Sequence, residues 1–266
     1  MVHRLVTFTS DFGTQDWFVG VVHGVIATLA PRVTVIDLNH TIPPGDVGRG
    51  AFVLEAACGD FPPGTVHLAV VDPGVGTDRR ALAVRARGDW FVGPDNGLLE
   101  WALCAPEAEV HALTESRWFR RPVSRTFHGR DVFAPVAAHL ALGVPLGEFG
   151  PRVDDPVRLP QAHPYAADGL LHGRVVFIDR FGNALTSLTH AALVETFGQI
   201  DESRVEVHVP GRVIAGITRS YGDAPVGTIV AVLGSSGRLE VAQVGGDAAA
   251  RFGLGLGDPV AARISA

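Results

Sequence analysis

LVTFTSDFGTQDWFVGVVHGVIATLAPRVTVIDL, residues 5–38, reads in turn as strand, loop, helix and strand. Leu5 to Thr9 is short, apolar and rich in β-branched residues, the mark of a buried strand. From Trp17 to Ala30, Trp17, Val21, Val25 and Leu29 recur at intervals of four, with Phe18, Val22 and Ile26 beside them. That spacing predicts a helix with one wide apolar face. Val33 to Leu38 is the next strand. The alternation continues to about residue 143. Val47 to Cys58 reads as a helix with Phe52, Val53, Ala56 and Ala57 inward, and Thr65 to Val71 as a strongly apolar strand. Ala81 to Arg87 and Trp90 to Val92 read as strands joined at Gly88-Asp89. Leu98 to Leu103 and Val132 to Leu142 read as short helices, the second stopped by Gly143. Strands alternating with helices predict a mainly parallel sheet covered on both faces.

Residues 151–169 change character. Pro151, Pro156, Pro160 and Pro164 recur with charges and little periodicity, which predicts a linker. Beyond it come short β-type runs: Gly173 to Asp179, Val205 to Val209, Arg212 to Ile217, Thr228 to Leu233, Leu239 to Val244 and Pro259 to Ile264. One helix is expected near Asp247 to Phe252. The expected fold class is therefore α/β, in two domains. Residues 1–150 form a mainly parallel sheet covered by helices, and residues 170–266 a smaller antiparallel, barrel-like β domain.

With 266 residues, 47% of them hydrophobic, the chain has enough apolar surface for a real core, which excludes a disordered protein. Its apolar runs are too short to span a membrane, and no secretory leader is expected before the first strand. Cys58 and Cys104 sit in apolar helical stretches and are expected as two buried thiols in a reducing cytoplasm. Net charge is −6, from 22 basic and 28 acidic residues mixed along the chain, so a nucleic-acid partner is not expected.

Polar groups gather on the loops after apolar runs, where chemistry is usually carried. Asp72-Pro-Gly-Val-Gly-Thr-Asp-Arg79 follows a strand. It is not a dinucleotide loop, because Arg79 stands where a third glycine is needed and another strand follows instead of a helix. A tight turn with Gly74 and Gly76 at positive φ accounts for the glycines. It does not account for Asp72 at a strand's carboxyl end, where ligands bind in α/β sheets. His128 lies in Thr126-Phe-His-Gly-Arg-Asp131 at a helix entry, where Asp131 reads as an N-cap. A metal site from His128, Asp131 and Asp72 has no supporting ligand spacing. Asp11, in Thr9-Ser-Asp-Phe-Gly-Thr14, reads either as a cap for the Trp17 helix or as an acceptor for vicinal sugar hydroxyls. Asp179-Arg-Phe-Gly-Asn183 and Gly234-Ser-Ser-Gly237 each follow a strand. They are hairpin turns that also offer a carboxylate for an ammonium and hydroxyls for a carboxylate, the needs of a zwitterionic amino acid.

Together with Gly93-Pro-Asp-Asn-Gly97, these ordered segments resemble the adenosine-forming S-adenosyl-L-methionine hydrolases, relatives of the fluorinase and chlorinase enzymes. The resemblance implies hydrolysis of S-adenosyl-L-methionine to adenosine and L-methionine. It implies no cofactor, and a homotrimer with substrate sites between subunits. By it Asp72, Arg79 and His128 match the residues assigned to water activation, with His128 or Asp72 as proton acceptor. Spacing favours Arg79 over the adjoining Arg80. Asp11 matches the ribose-hydroxyl acceptor. Asp179 and Asn183, around Phe181, match the positions that hold the methionine amino group. Ser235 and Ser236 fall in the loop that meets its carboxylate. Tyr221 matches an aromatic that packs on adenine. Asp72 stands where halogenating relatives lack a carboxylate, and two negative charges about 4 Å apart repel by roughly 4 kcal/mol at an intermediate dielectric. Hydroxide transfer is therefore expected in place of halide transfer.

Overall fold

The computed structural model describes residues 5–159 and 163–265. The chain divides into two compact units between Leu159 and Pro160. The expected linker spans that division, and its residues 160–162 lie outside the described residues. Its earlier part is built structure: Val153 is buried and Arg158 pairs with Glu100.

Unit 1 contains strands β1 (Leu5–Ser10), β2 (Thr34–Asn39), β3 (Val66–Val70), β4 (Ala81–Ala86), β5 (Asp89–Pro94) and β6 (Glu109–Ala112). They form one sheet in the order β2-β1-β3-β5-β4-β6. β2, β1, β3 and β5 run parallel, whereas β4 and β6 pair antiparallel. Helices α1 (Phe18–Leu29), α2 (Val47–Ala57), α3 (Glu100–Leu103) and α4 (Ala134–Ala141) cover it. The pleat sends alternate side chains to opposite faces. Val66, Leu68 and Val70 join Phe8, Ile26 and Val136 on one side, and Ala69 and Val71 join Leu54, Leu82 and Phe91 on the other. Covered on both faces, the central strands β1 and β3 are almost completely buried, at about 1.5–3 kcal/mol for each large side chain, while the edge strand β2 stays partly exposed.

Several local expectations change. α1 buries Val22 and Ile26, whereas Trp17 and Leu29 are exposed. α1 packs against α4, and of the row expected inward Val21 and Val25 are half-buried, Val25 against the core. α2 turns Gly50, Ala51 and Leu54 inward, and its approach at Gly50 is too close for a side chain. A Cβ on Gly50 would stand 2.7 Å from Leu98 Cδ1. The β4–β5 turn is Arg87-Gly88, with φ of 55° and 84°, one residue earlier than expected. Two positive φ values are what a twist-matched two-residue hairpin requires. The helix expected from Val132 is a π turn over Gly129–Phe133 that leads into α4. Cys58 is buried, but Cys104 is exposed at the end of α3 beside Glu100 and Arg158.

Unit 2 contains β7 (Tyr165–Ala167), β8 (Leu170–Ile178), β9 (Ala184–Thr189), β10 (Val205–Val209), β11 (Arg212–Ala215), β12 (Ile217–Thr218), β13 (Ile229–Leu233), β14 (Arg238–Gln243) and β15 (Pro259–Ile264). They form a nearly closed, barrel-like sheet in the order β11-β10-β15-β8-β9-β14-β13-β12, with β7 beside β8. All pairs are antiparallel except β12 with β13. Leu171, Val175, Leu188, Val207, Val241 and Val260 lie in its core. Helices α5 (His190–Phe197) and α6 (Ala248–Phe252) complete it. β9 escapes a reading by hydropathy because Thr186 and Ser187 are polar yet buried; the Thr186 hydroxyl donates to the Leu239 carbonyl at 2.8 Å. The run from Arg212 to Ile217 breaks at Gly216, which has a φ of 78°.

Candidate active site

β1 and β3 are parallel neighbours, with Ser10 opposite Val70. The chain therefore delivers Asp11 and Asp72 from the same edge, the carboxyl ends of adjacent strands. Asp11 is not a helix cap. Trp17 occupies the N-cap of α1 with no side-chain cap bond. Asp11 Oδ2 instead accepts from the Gly45 amide at 2.8 Å. Burial raises its carboxyl pKa, the Gly45 bond opposes this, and the charge of Asp72 adds to the rise.

The loop after Asp72 doubles back. The Val75 amide donates to the Asp72 carbonyl at 3.2 Å and the Thr77 amide to the Gly74 carbonyl at 3.2 Å. Gly76 has a φ of 80°, and a Cβ there would stand 2.3 Å from the Arg125 carbonyl oxygen. Glycine is thus demanded twice at that position. Gly74, expected to share the positive φ, does not. The fold-back lays Arg79 across Asp72: Nε donates to Oδ1 at 2.9 Å, and Nη2 makes a shorter contact to Oδ2. The same Nη2 reaches His128 Nδ1 at 2.8 Å. The Arg79 and Asp72 side chains are only 10% and 5% exposed, and the guanidinium lies over the Phe133 ring.

A guanidinium donates and never accepts. His128 Nδ1 must therefore be the acceptor, so the imidazole is neutral and carries its proton on Nε2. Burial first, then the charge of Arg79, holds His128 below the ordinary histidine pKa, against Asp72 and Asp131. Arg80 turns away to Asp95 and Asp155, at 2.7 Å from each. The structure thus brings Arg79, not Arg80, to Asp72 and His128.

Aromatic rings hold the Asp11 and His128 loops together. Phe12, Phe18 and Phe127 meet with centroids 5.3 to 5.9 Å apart. Such pairs contribute about 0.5–1.5 kcal/mol each beyond their burial. Gly129 fits beneath them; a Cβ there would stand 3.1 Å from Phe12 Cζ. Asp131 is not an N-cap. It is fully buried, paired with Arg130 at 2.6 Å and Arg120 at 3.2 Å, and accepts from the Ser124 amide. Burial opposes its ionisation, yet these partners hold the carboxyl below the usual carboxylate range. Those bonds turn it away from any shared ligand set with Asp72 and His128. Among the described residues no three His, Cys, Asp or Glu side chains could hold a metal ion.

In unit 2, Asp179 organises the β8–β9 turn. It accepts from the Phe181 amide at 2.8 Å, the Asn183 amide at 2.9 Å and Asn183 Nδ2 at 2.9 Å. Asn183 is buried, whereas Phe181 is 74% exposed. Ser235 and Ser236 occupy the β13–β14 hairpin, where the Gly237 amide donates to the Gly234 carbonyl. Ser235 is exposed. The buried Ser236 Oγ has no hydrogen-bond partner among the described residues. Tyr221 is half-exposed and donates its hydroxyl to Glu240 Oε2 at 2.6 Å.

The model of the SAM hydroxide adenosyltransferase N-terminal domain matches residues 6–150, and that of the C-terminal domain matches residues 173–261. The chain belongs to the SAM hydroxide adenosyltransferase family. The family member from Thermus thermophilus named (R)-S-adenosyl-L-methionine hydrolase is 46% identical, over 97% of this chain and 98% of that one. The fluorinase of Nocardia brasiliensis is similar at 30% identity, over 98% of this chain and 97% of that protein. A crystal structure of an uncharacterized conserved protein from Thermotoga maritima matches with a TM-score of 0.90 at 34% identity, over 97% and 99% of the two chains.

Within this SAM hydroxide adenosyltransferase chain, Glu240, which accepts the Tyr221 hydroxyl, does not stand out in the sequence. It lies inside a run that reads as an ordinary strand, where a charged residue suggests a solvated face. β14 buries it instead. Gly234, six positions earlier, is placed where a side chain would strike the Glu240 carboxylate, a closeness that only the folded chain shows.

Proposed function

We propose that this protein hydrolyses S-adenosyl-L-methionine to adenosine and L-methionine. The observation that carries the reading is a single guanidinium, Arg79, bonded to both Asp72 and His128 at the carboxyl end of β3 in a chain of this family. The substrate's sulfonium makes ribose C5′ electrophilic. A water oxygen attacks C5′ opposite sulfur, and the C–O bond forms as the C–S bond breaks. The electron pair leaves with sulfur as the neutral thioether of methionine, and the water gives up a proton. Holding the water in line contributes on the order of 7 kcal/mol or more.

The hydrogen bonds support a division of roles. Arg79 only donates, and His128 presents Nε2–H while its Nδ1 is engaged. Asp72 is then the cluster's proton acceptor. His128 orients the water oxygen, and Arg79 stabilises the charge that develops on it. Asp11 accepts from the ribose hydroxyls. Asp179 and Asn183 hold the methionine amino group, Ser235 and Ser236 its carboxylate, and Tyr221 and Phe181 supply aromatic packing, Tyr221 against adenine. The reading needs no cofactor, and turnover is expected to be unchanged by EDTA. A halide in place of the water would be repelled by Asp72.

We read the assembly as a cytoplasmic homotrimer with its substrate sites between subunits. Light scattering is expected to give three times the chain mass. Among the described residues no helix is long and apolar enough to cross a membrane. The central test is incubation with S-adenosyl-L-methionine in ¹⁸O-water. Label is expected in the adenosine 5′-hydroxyl; unlabelled adenosine, or none, overturns the reading.

A further inference from the structure

One buried carboxylate in unit 2 lies against two of the candidate substrate-binding segments and near a third. Glu240, on β14, accepts the Tyr221 hydroxyl at 2.6 Å. Gly234 opens the Gly-Ser-Ser-Gly hairpin directly over it; a Cβ there would stand 1.8 Å from Glu240 Oε1. Asp179 lies near enough for its charge, after burial, to raise the pKa of both the Glu240 carboxyl and the Tyr221 hydroxyl. Glu240 is only 6% exposed. Among the described residues neither Glu240 nor Asp179 has an ion-pair partner, and the buried Ser236 Oγ of the same hairpin has no hydrogen bond.

Two neighbouring carboxylates without a cation repel, and burial worsens the cost. A protein keeps such a pair where a ligand supplies the missing positive charge. The substrate's α-ammonium has that charge and three donors. Resting on the hydrolase reading above, we propose that Glu240 is a positioning residue. It fixes Tyr221 and the Gly234–Gly237 turn and, with Asp179, makes the pocket select ligands that carry an ammonium group.

The aza analogue of S-adenosyl-L-methionine, in which an amine replaces the sulfonium, has no leaving group and reports binding without turnover. Its desamino counterpart lacks only the α-ammonium. Calorimetry with both analogues on the full-length protein tests the proposal. Glu240→Gln keeps an acceptor for Tyr221 and loses the charge. It is expected to weaken the ammonium analogue by roughly ten- to a hundredfold and to leave the desamino analogue unchanged. Equal weakening of both assigns Glu240 to the fold alone and overturns the proposal, as does no weakening of either. Should Glu240→Gln not fold, the wild-type pH profile decides. The groups facing Glu240 are Tyr221 and Asp179, and its raised carboxyl pKa means that it takes up a proton earlier than usual on acidification. The preference for the ammonium analogue then falls as pH falls, and a flat preference overturns the proposal. Failure of the wild type to bind the ammonium analogue overturns this inference and the hydrolase reading together. Binding with no adenosine formed from S-adenosyl-L-methionine overturns the hydrolase reading alone.

Discussion

The carboxylates of the two units live under opposite conditions. In unit 1, Asp72 is nearly buried and its charge is met by Arg79 within the protein. In unit 2, Asp179 and Glu240 meet amides, a side-chain amide and a phenol, but among the described residues no cation. A paired charge is rigid and already satisfied, so it suits orienting a small neutral molecule such as water. An unpaired charge is costly until a ligand arrives, so it suits recognition. The contrast teaches which residues to expect to change kcat and which to change KM.

The sharpest way to break the contrast is Asp72→Asn, which keeps the shape and removes the acceptor. Adenosine release should slow by about 10²–10⁴-fold, with KM nearly unchanged in steady-state kinetics. A rise in KM at full kcat would make Asp72 a recognition group after all. Asp179→Asn should do the reverse. It should raise KM by roughly ten- to a hundredfold while kcat changes little, and a collapse of kcat would erase the distinction between the units.

The smallest effect sharpens the unit 1 side. His128 titrates below the ordinary histidine range because of burial and Arg79. Protonation removes its Nδ1 acceptor and sets a second cation against Arg79. Stability from the neutral ring is therefore complete above the unfolded histidine pKa and is lost as pH falls through the lower folded value. The acid limb of kcat should lie below the ordinary histidine pKa. In Arg79→Gln the imidazole NMR titration should shift upward; an unmoved midpoint would leave burial as the cause.

β1 and β3 were readable because they are buried on both faces and appear as short, mostly apolar and β-branched runs. The loops at their ends were readable for the same reason, since a strand's end marks where Asp11 and Asp72 must emerge. β6 was missed, because four residues including a glutamate and a histidine carry little pattern. β9 was missed because its buried Thr186 satisfies its hydroxyl within the sheet. Asp11 and Asp131 both sit near helix starts, where capping is the ordinary local explanation. Their partners, Gly45 and the pair Arg120 and Arg130, come from tertiary contact or from the π turn.

Alternation of apolar strands and helices, turn glycines and the order of the polar loops were enough to establish a parallel-rich α/β unit, a β-rich unit and a family of chemistry. These are local or periodic properties, and a chain displays them without being folded. The bonding of Arg79, already favoured by spacing, to both Asp72 and His128, the neutral Nε2-protonated His128 and the place of Glu240 beside Tyr221 depended on the folded molecule. Each is a contact between residues far apart in the chain, 49 positions for Arg79 and His128 and 19 for Tyr221 and Glu240. Sheet register and close packing, not neighbouring sequence, bring such residues within hydrogen-bond reach.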